Sequence, residues 1–214
     1  SENQFGEWLA SADAVWELIP RISDLIQATF IPGILGEVSP TAQFGENVFI
    51  GEDAKVLAGT VILGPAIIGR GCTIGPNAYI RQNVIICDGA HVGHVCEVKN
   101  ALLMEGALVP HFAYVGDSLL GRKAHLGAGV KLSNVRIDGK SVTVKIGGER
   151  HETGLRKFGA ILGDEAEVGC NAVLNPGTLV GPRTLISGAL LAGGCYPQDS
   201  FVSHGHTPEV RPKK

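Results

Sequence analysis

No apolar run of 18 residues occurs in the 214-residue chain, so no membrane-spanning helix is expected. Charge of one sign is also lacking. A formal charge of −3 leaves no global basic field, so nucleic acid and anionic membrane are not expected partners. Any anionic ligand must then be met by locally placed cations. Cys72, Cys87, Cys96, Cys170 and Cys195 make an odd number with no CxxC spacing. That argues against a disulfide framework and against a zinc ribbon, and it fits a reducing compartment. No glycine-rich loop of the P-loop or dinucleotide type is present, so nucleoside-triphosphate chemistry has no support. With no basic-plus-apolar leader in view, a soluble cytoplasmic protein is expected.

What the chain does have is glycine, at 30 residues, and a repeat of six. Stepping by six from Val38 gives Phe44, Ile50, Val56, Ile62, Ile68, Ile74, Ile80, Ile86, Val92, Val98 and Met104, none of them polar. The position two before the aliphatic is usually small, as in Ala54, Ala66, Cys72, Ala78, Ala90 and Cys96. A chain that turns a corner every six residues needs tolerant corners, and a narrow interior takes one large and one small residue per side. Helices repeat at 3.6, and ankyrin, leucine-rich or WD40 arrays repeat at about 20 residues or more, so the pattern predicts an all-β hexapeptide solenoid. Three six-residue sides make a coil of about 18.

The phase breaks after Met104 and resumes as Leu120, Leu126 and Leu132, then as Leu162, Val168, Leu174, Val180 and Ile186. Two interruptions are read as ejected loops, Glu105 to Leu119 and Ser133 to Ile161. The second contains a β-hairpin, placed at about 134–158, with glycine-rich turns. Before the repeat, residues 1–33 read as helical, kinked near Pro20, with Trp8, Val15, Trp16, Leu18, Ile19, Ile22, Leu25 and Ile26 as the apolar stripe. This segment is expected to cap the open end of the solenoid at 34–198, since that end exposes unpaired strand edges, with a linker or docking helix for a partner domain as the alternative. Residues 199–214 are expected to form a solvated tail.

Arg81 and Lys99 are 18 residues apart, one coil, and must stack. Two cations about 4.8 Å apart repel unless an anion bridges them, and phosphate is the natural occupant. His111 is not at an inward position. A neutral imidazole suits proton abstraction near pH 7, and Glu97 is the candidate to fix its tautomer. His91 with His94, and His204 with His206, lack a third convergent ligand, so no metal site is assigned. Cys72 and Cys96 read as core, whereas Cys87 and Cys170 are expected at the surface.

The stretches GPNAYIRQN, GAHVGHVCEVKNALLMEGALVPHFAYVGDSLLG, HLGAGVKLSN and RKFGAILGDEAEVGCNAVLNPG carry a K-x11-H-x2-Y spacing and a later KFGAILGD. Over Glu37 to Gly194 they resemble the acetyltransferase domain of bifunctional glucosamine-1-phosphate acetyltransferase/N-acetylglucosamine-1-phosphate uridyltransferase and its archaeal sugar-phosphate nucleotidylyltransferase relatives. No uridyltransferase domain is matched. The resemblance implies a left-handed parallel β-helix, a homotrimer and acetyl-CoA as co-substrate. It implies His111 as general base with Glu97 orienting it, and Arg81 and Lys99 on the phosphate of an amino-sugar phosphate. Tyr114 matches a tyrosine that contacts the sugar, Asn134 an asparagine near the acyl-CoA and sugar, and Lys157 a lysine near the sugar, while Ala128 and Cys170 match positions that border the pantetheine arm. His125 stands in place of a sugar-contacting asparagine, and Pro110 in place of the glycine before the base. The leading expectation is an acetyl-CoA-dependent N-acetyltransferase. An acyl-carrier-protein-dependent acyltransferase of lipid A type and a noncatalytic assembly subunit are the alternatives.

Overall fold

The computed structural model describes residues 2–29 and 33–204. From residue 33 the chain winds as a parallel β-solenoid of very short strands, most of two or three residues, each paired with the strand one coil further on. Strands stay short because the corners recur every six residues. One side of the coil is a nine-stranded parallel sheet, and the other two sides join into a 15-stranded one.

The interior follows the repeat. Ile50, Val56, Ile62, Ile68, Ile74, Ile80, Ile86, Val92 and Val98 are buried in one core with the small Ala54, Ala66, Cys72, Ala78, Ala90 and Cys96. Each aliphatic side chain so buried contributes about 1.5–3 kcal/mol of transfer free energy. Val38 and Phe44 are partly buried and pack against that core.

The expected break after Met104 is corrected. The interior row runs Val98, Leu103, Val109, Val115, Leu120, Leu126, Leu132, so the phase slips by one residue at two points and the coil is not interrupted over this stretch. Register shows where. Tyr79 pairs with Glu97, 18 residues on, but Val84 pairs with Ala101, 17 residues on. One residue has been lost at the corner between Val98 and Ala101. The next coil is contracted at the same corner, since Glu97 to Leu103 pairs along its length with Tyr114 to Leu120 at an offset of 17. Both segments run as seven-residue strands through the corner, which is how two sides merge into one sheet. Glu105 to Leu119 is therefore part of the solenoid, not an ejected loop. Met104 points outward, into a second apolar cluster.

That second cluster overturns the end-cap expectation. Helices Glu2–Ala10 and Ile22–Thr29 flank a 3-10 turn, Val15–Arg21, that contains Pro20. Trp16, Leu18, Ile19, Ile22, Leu25 and Ile26 pack against Ile85, Leu102, Met104 and Leu119 on the outer flank of one side of the coil. The outward residues of that side are apolar and need cover, so the helices lie along the flank. Cys87 joins this cluster and is buried, contrary to expectation.

The other interruption is an ejected hairpin. Thr143–Ile146 and Glu149–Glu152 pair antiparallel across Gly147 and Gly148, both with positive φ, which only glycine adopts freely. Around it the register jumps to 42 residues, a coil of 18 with 24 inserted. Val142 and Val144 pin the hairpin to the flank cluster. Of the tail, residues from 205 lie outside the described part.

Candidate active site

The two contracted corners draw polar side chains from successive coils together. Tyr79, Glu97, Tyr114 and Lys131 are aligned in register on the outer face, because their strand neighbours Ile80, Val98, Val115 and Leu132 point inward. In the adjoining row Lys99 lies opposite Gly116. Arg81, which follows Ile80, donates its backbone N–H to Val98 at 2.8 Å and so begins that row.

Arg81 and Lys99 do stack, but not as bare cations. Arg81 Nη1 donates to Glu97 Oε1 at 2.9 Å, and Lys99 Nζ donates to the two oxygens of Asp117 at 3.1 and 3.4 Å. Each cation thus has its own carboxylate, and mutual repulsion no longer argues for a bridging anion. The hydrogen bond that Arg81 donates to Glu97 raises the pKa of Arg81, whose guanidinium also lies 5.9 Å from the centre of the Tyr79 ring. Glu97 was expected beside His111. Among the described residues its side-chain hydrogen bond goes to Arg81, and none joins it to His111.

His111 is exposed at the end of strand Leu108–His111, just before the corner. It registers with His94 one coil earlier, and Phe112 lies near both rings, with centroids 5.2 Å from His94 and 6.5 Å from His111. Burial, and secondarily the charge of His111, lower the pKa of the neighbouring His91. Along this edge the rungs continue through Ala128 and Cys170. Gly129 N–H donates to the His111 carbonyl at 2.9 Å, and Asn171 N–H to the Ala128 carbonyl at 2.8 Å. Rungs about 4.8 Å apart put His111, Ala128 and exposed Cys170 in one line parallel to the solenoid axis.

Tyr114 is half-buried. Burial raises its pKa, with the charges of Asp117 and Glu97 adding to the shift. Its hydroxyl lies over Gly116, where an added Cβ would sit 2.5 Å from that oxygen and 2.8 Å from Asn134 Nδ2. Asn134 donates this amide to Asp117. Lys157 is exposed on the segment returning from the hairpin, next to Phe158, whose N–H donates to the Asn134 carbonyl at 2.9 Å. His125 is half-buried, in register with Leu108 and Glu167, and so sits on the side of the coil that carries His111. A shallow groove of about 260 Å³ opens beside the corner, lined by Asn77, Tyr79, Val95, Cys96, Glu97, Phe112, Ala113 and Tyr114.

Sequence reasoning missed Asp117, Asn100 and Gly116. The available signal was the phase itself, since Val98 to Leu103 and Val115 to Leu120 are each five residues apart. That spacing marks both contracted corners.

Residues 62–147 match the family described as the GMPPB C-terminal domain. The chain is 40% identical over 147 residues to a bifunctional sugar-1-phosphate nucleotidylyltransferase/acetyltransferase of Sulfurisphaera tokodaii, covering 69% of this chain and 37% of that protein. It is 35% identical over 193 residues to the bifunctional protein GlmU of Methanococcus vannielii, covering 87% and 46% respectively. An uncharacterized acetyltransferase, YaiX of Escherichia coli, is 32% identical over 155 residues, covering 72% of this chain and 67% of its own length. The chain spans less than half the length of the two bifunctional relatives.

Proposed function

The chain belongs to the acetyltransferase-domain family of the bifunctional sugar-1-phosphate nucleotidylyltransferase/acetyltransferases, and on that premise we propose that it is an acetyl-CoA-dependent N-acetyltransferase whose acceptor is an amino-sugar phosphate or a nucleotide-linked amino sugar. The observation that carries this reading is the line of His111, Ala128 and Cys170 along one edge, beside the row Arg81, Lys99 and Gly116 on the next side. An extended thioester arm lies along such an edge, past Cys170 and Ala128, and brings its carbonyl to His111. The acceptor occupies the adjoining groove, its anionic group toward Arg81 and Lys99 and its hydroxyls toward Tyr114, Asn134, His125 and Lys157.

The chemistry follows from the placement. His111 takes a proton from the acceptor amine as the nitrogen attacks the thioester carbonyl. The tetrahedral intermediate collapses, the C–S bond breaks, and the proton held on His111 passes to the departing sulfur, so that CoA leaves as the thiol and the imidazole is neutral again. His111 is exposed and directly precedes Phe112 of the groove lining, and a neutral imidazole is the appropriate base near pH 7. Glu97 acts here through its bond to Arg81, holding the guanidinium for the acceptor's anion. The same proposal includes a homotrimer, with the acyl-CoA groove between parallel solenoids.

Thiol release from acetyl-CoA, followed with glucosamine-1-phosphate and other amino-sugar phosphates, tests the proposal. Stoichiometric thiol and N-acetylated product support it. No turnover with any of these acceptors, and no acetyl-CoA binding at millimolar concentration, would remove it in favour of an assembly role.

A further inference from the structure

Asp117 stands at a corner where the fold asks only for an amide. The rungs above it in the same column are Asn83 and Asn100, and all three adopt positive φ, 59°, 43° and 49°. Asparagine tolerates that conformation as well as aspartate does. The Asp117 side chain is nonetheless a buried carboxylate, about 6% exposed, against 16% for Lys99. A buried ion pair is weak support for stability, because desolvation offsets the attraction. The charge therefore calls for a reason beyond the corner.

The partners supply one. Asp117 accepts from Lys99 Nζ, from Asn100 Nδ2 at 2.9 Å and from Asn134 Nδ2, which come from two separate stretches of chain. A carboxylate only accepts. It therefore fixes which end of the Asn134 amide faces it, and leaves Asn134 Oδ1 as an acceptor for a ligand. An ammonium has three N–H bonds, and two carboxylate oxygens leave at least one for another partner. We propose that Asp117 is a positioning residue of the acceptor site, setting the Lys99 ammonium and the Asn134 amide so that they present one donor and one acceptor to the phosphorylated sugar. The inference rests on the acetyl-transfer reading for the identity of that ligand.

The test compares Asp117→Asn, Lys99→Met and the double variant with wild type by steady-state kinetics, with thermal melting as the control for folding. Asp117→Asn keeps the shape but lets the Asn134 amide turn over. The expected result is an acceptor KM raised about tenfold, with kcat and the acetyl-CoA KM within about threefold, at a loss per charged hydrogen bond in the usual range. An unchanged acceptor KM, or all parameters falling together, overturns the proposal. If Asp117→Asn does not fold, the double variant, which removes both buried charges at once, carries the test. An acceptor KM about threefold above that of Lys99→Met supports it through Asn134, and equality overturns it. If wild type acetylates none of the acceptors, the acetyl-transfer reading fails separately. Inorganic phosphate, titrated by calorimetry, then decides: binding weakened about tenfold in the variant that folds supports positioning, and unchanged or absent binding overturns it.

Discussion

Lys99 and Asp117 meet at 3.1 Å across a corner from which each of two successive coils has dropped one residue. In a coil of 18 the corner has room for an extra turn residue, as between Arg81 and Val84. Here the strand passes through it, so side chains that would otherwise diverge converge on one carboxylate.

Gly116 makes that convergence sensitive to a single methyl group. An added Cβ would press on the Tyr114 hydroxyl and on Asn134 Nδ2, both ends of side chains and not backbone, so the coil itself should survive. Gly116→Ala is expected to melt within a few degrees of wild type while the acceptor KM rises at least about tenfold, as expected when a positioned polar contact is lost. Melting curves together with KM for both substrates check this. An unaltered acceptor KM would show that Tyr114 and Asn134 do not bind the acceptor.

The roles given to His111 and Glu97 separate kinetically. General-base catalysis contributes about 10²–10⁴-fold, so His111→Ala should lower kcat by that factor with little change in either KM. Glu97→Gln removes the charge that holds Arg81, and its effect should fall on the acceptor KM. Were Glu97 instead the orienting partner of His111, Glu97→Gln would lower kcat, and the double variant would be no slower than His111→Ala alone.

The fold was legible in the sequence because one large aliphatic every six residues states a corner every six residues, and Ile50 to Val98 hold that phase without error. The contracted corners were not, because the apolar run Leu102, Leu103, Met104 fills the expected position whichever member points inward. Counting by six lands on Met104, whereas the interior takes Leu103. The same ambiguity hid the flank. Ile85 and Leu102 are outward residues that look like ordinary solenoid filler until helices are seen to cover them. Arg81 and Lys99 were legible as a stacked pair from their spacing, and Glu97 lies on the same regular register, but the place of Asp117 beside Lys99 depends on the slipped register, which no count by six reveals.

Thiol reactivity tests the core assignments. Burial pushes the Cys72 thiol from the ordinary 9.0 up to about 11, and raises Cys87 and Cys96 as well, whereas Cys170 and Cys195 are exposed. An aromatic disulfide reagent at pH 8 should titrate two thiols quickly and the other three only after unfolding. The shift is upward, so the stability tied to the protonated Cys72 thiol is full below pH 9 and is lost as the pH rises toward about 11, because the unfolded chain ionises first. Fast reaction of a third thiol in the native protein would show that one buried cysteine is wrongly placed.

The last expectation concerns the flank on which the helices lie. Ile22 is fully buried against it, in one cluster with Ile85, Leu102 and Phe158, and a void left there could not be filled by the stacked backbone of the coil. Ile22→Ala should therefore cost about 2–5 kcal/mol, the range for large-to-small substitutions in a packed interior. Leu35 lies on the first coil and is 59% exposed, so Leu35→Ala should stay within about 0.5 kcal/mol. Urea denaturation of both variants reads the difference. The helices and the solenoid share apolar cover, so the Ile22 variant is also expected to expose Leu102 and Met104 and to bind a hydrophobic dye before the coil unfolds. Equal, small losses for the two substitutions would mean that the helical segment is not packed on the flank.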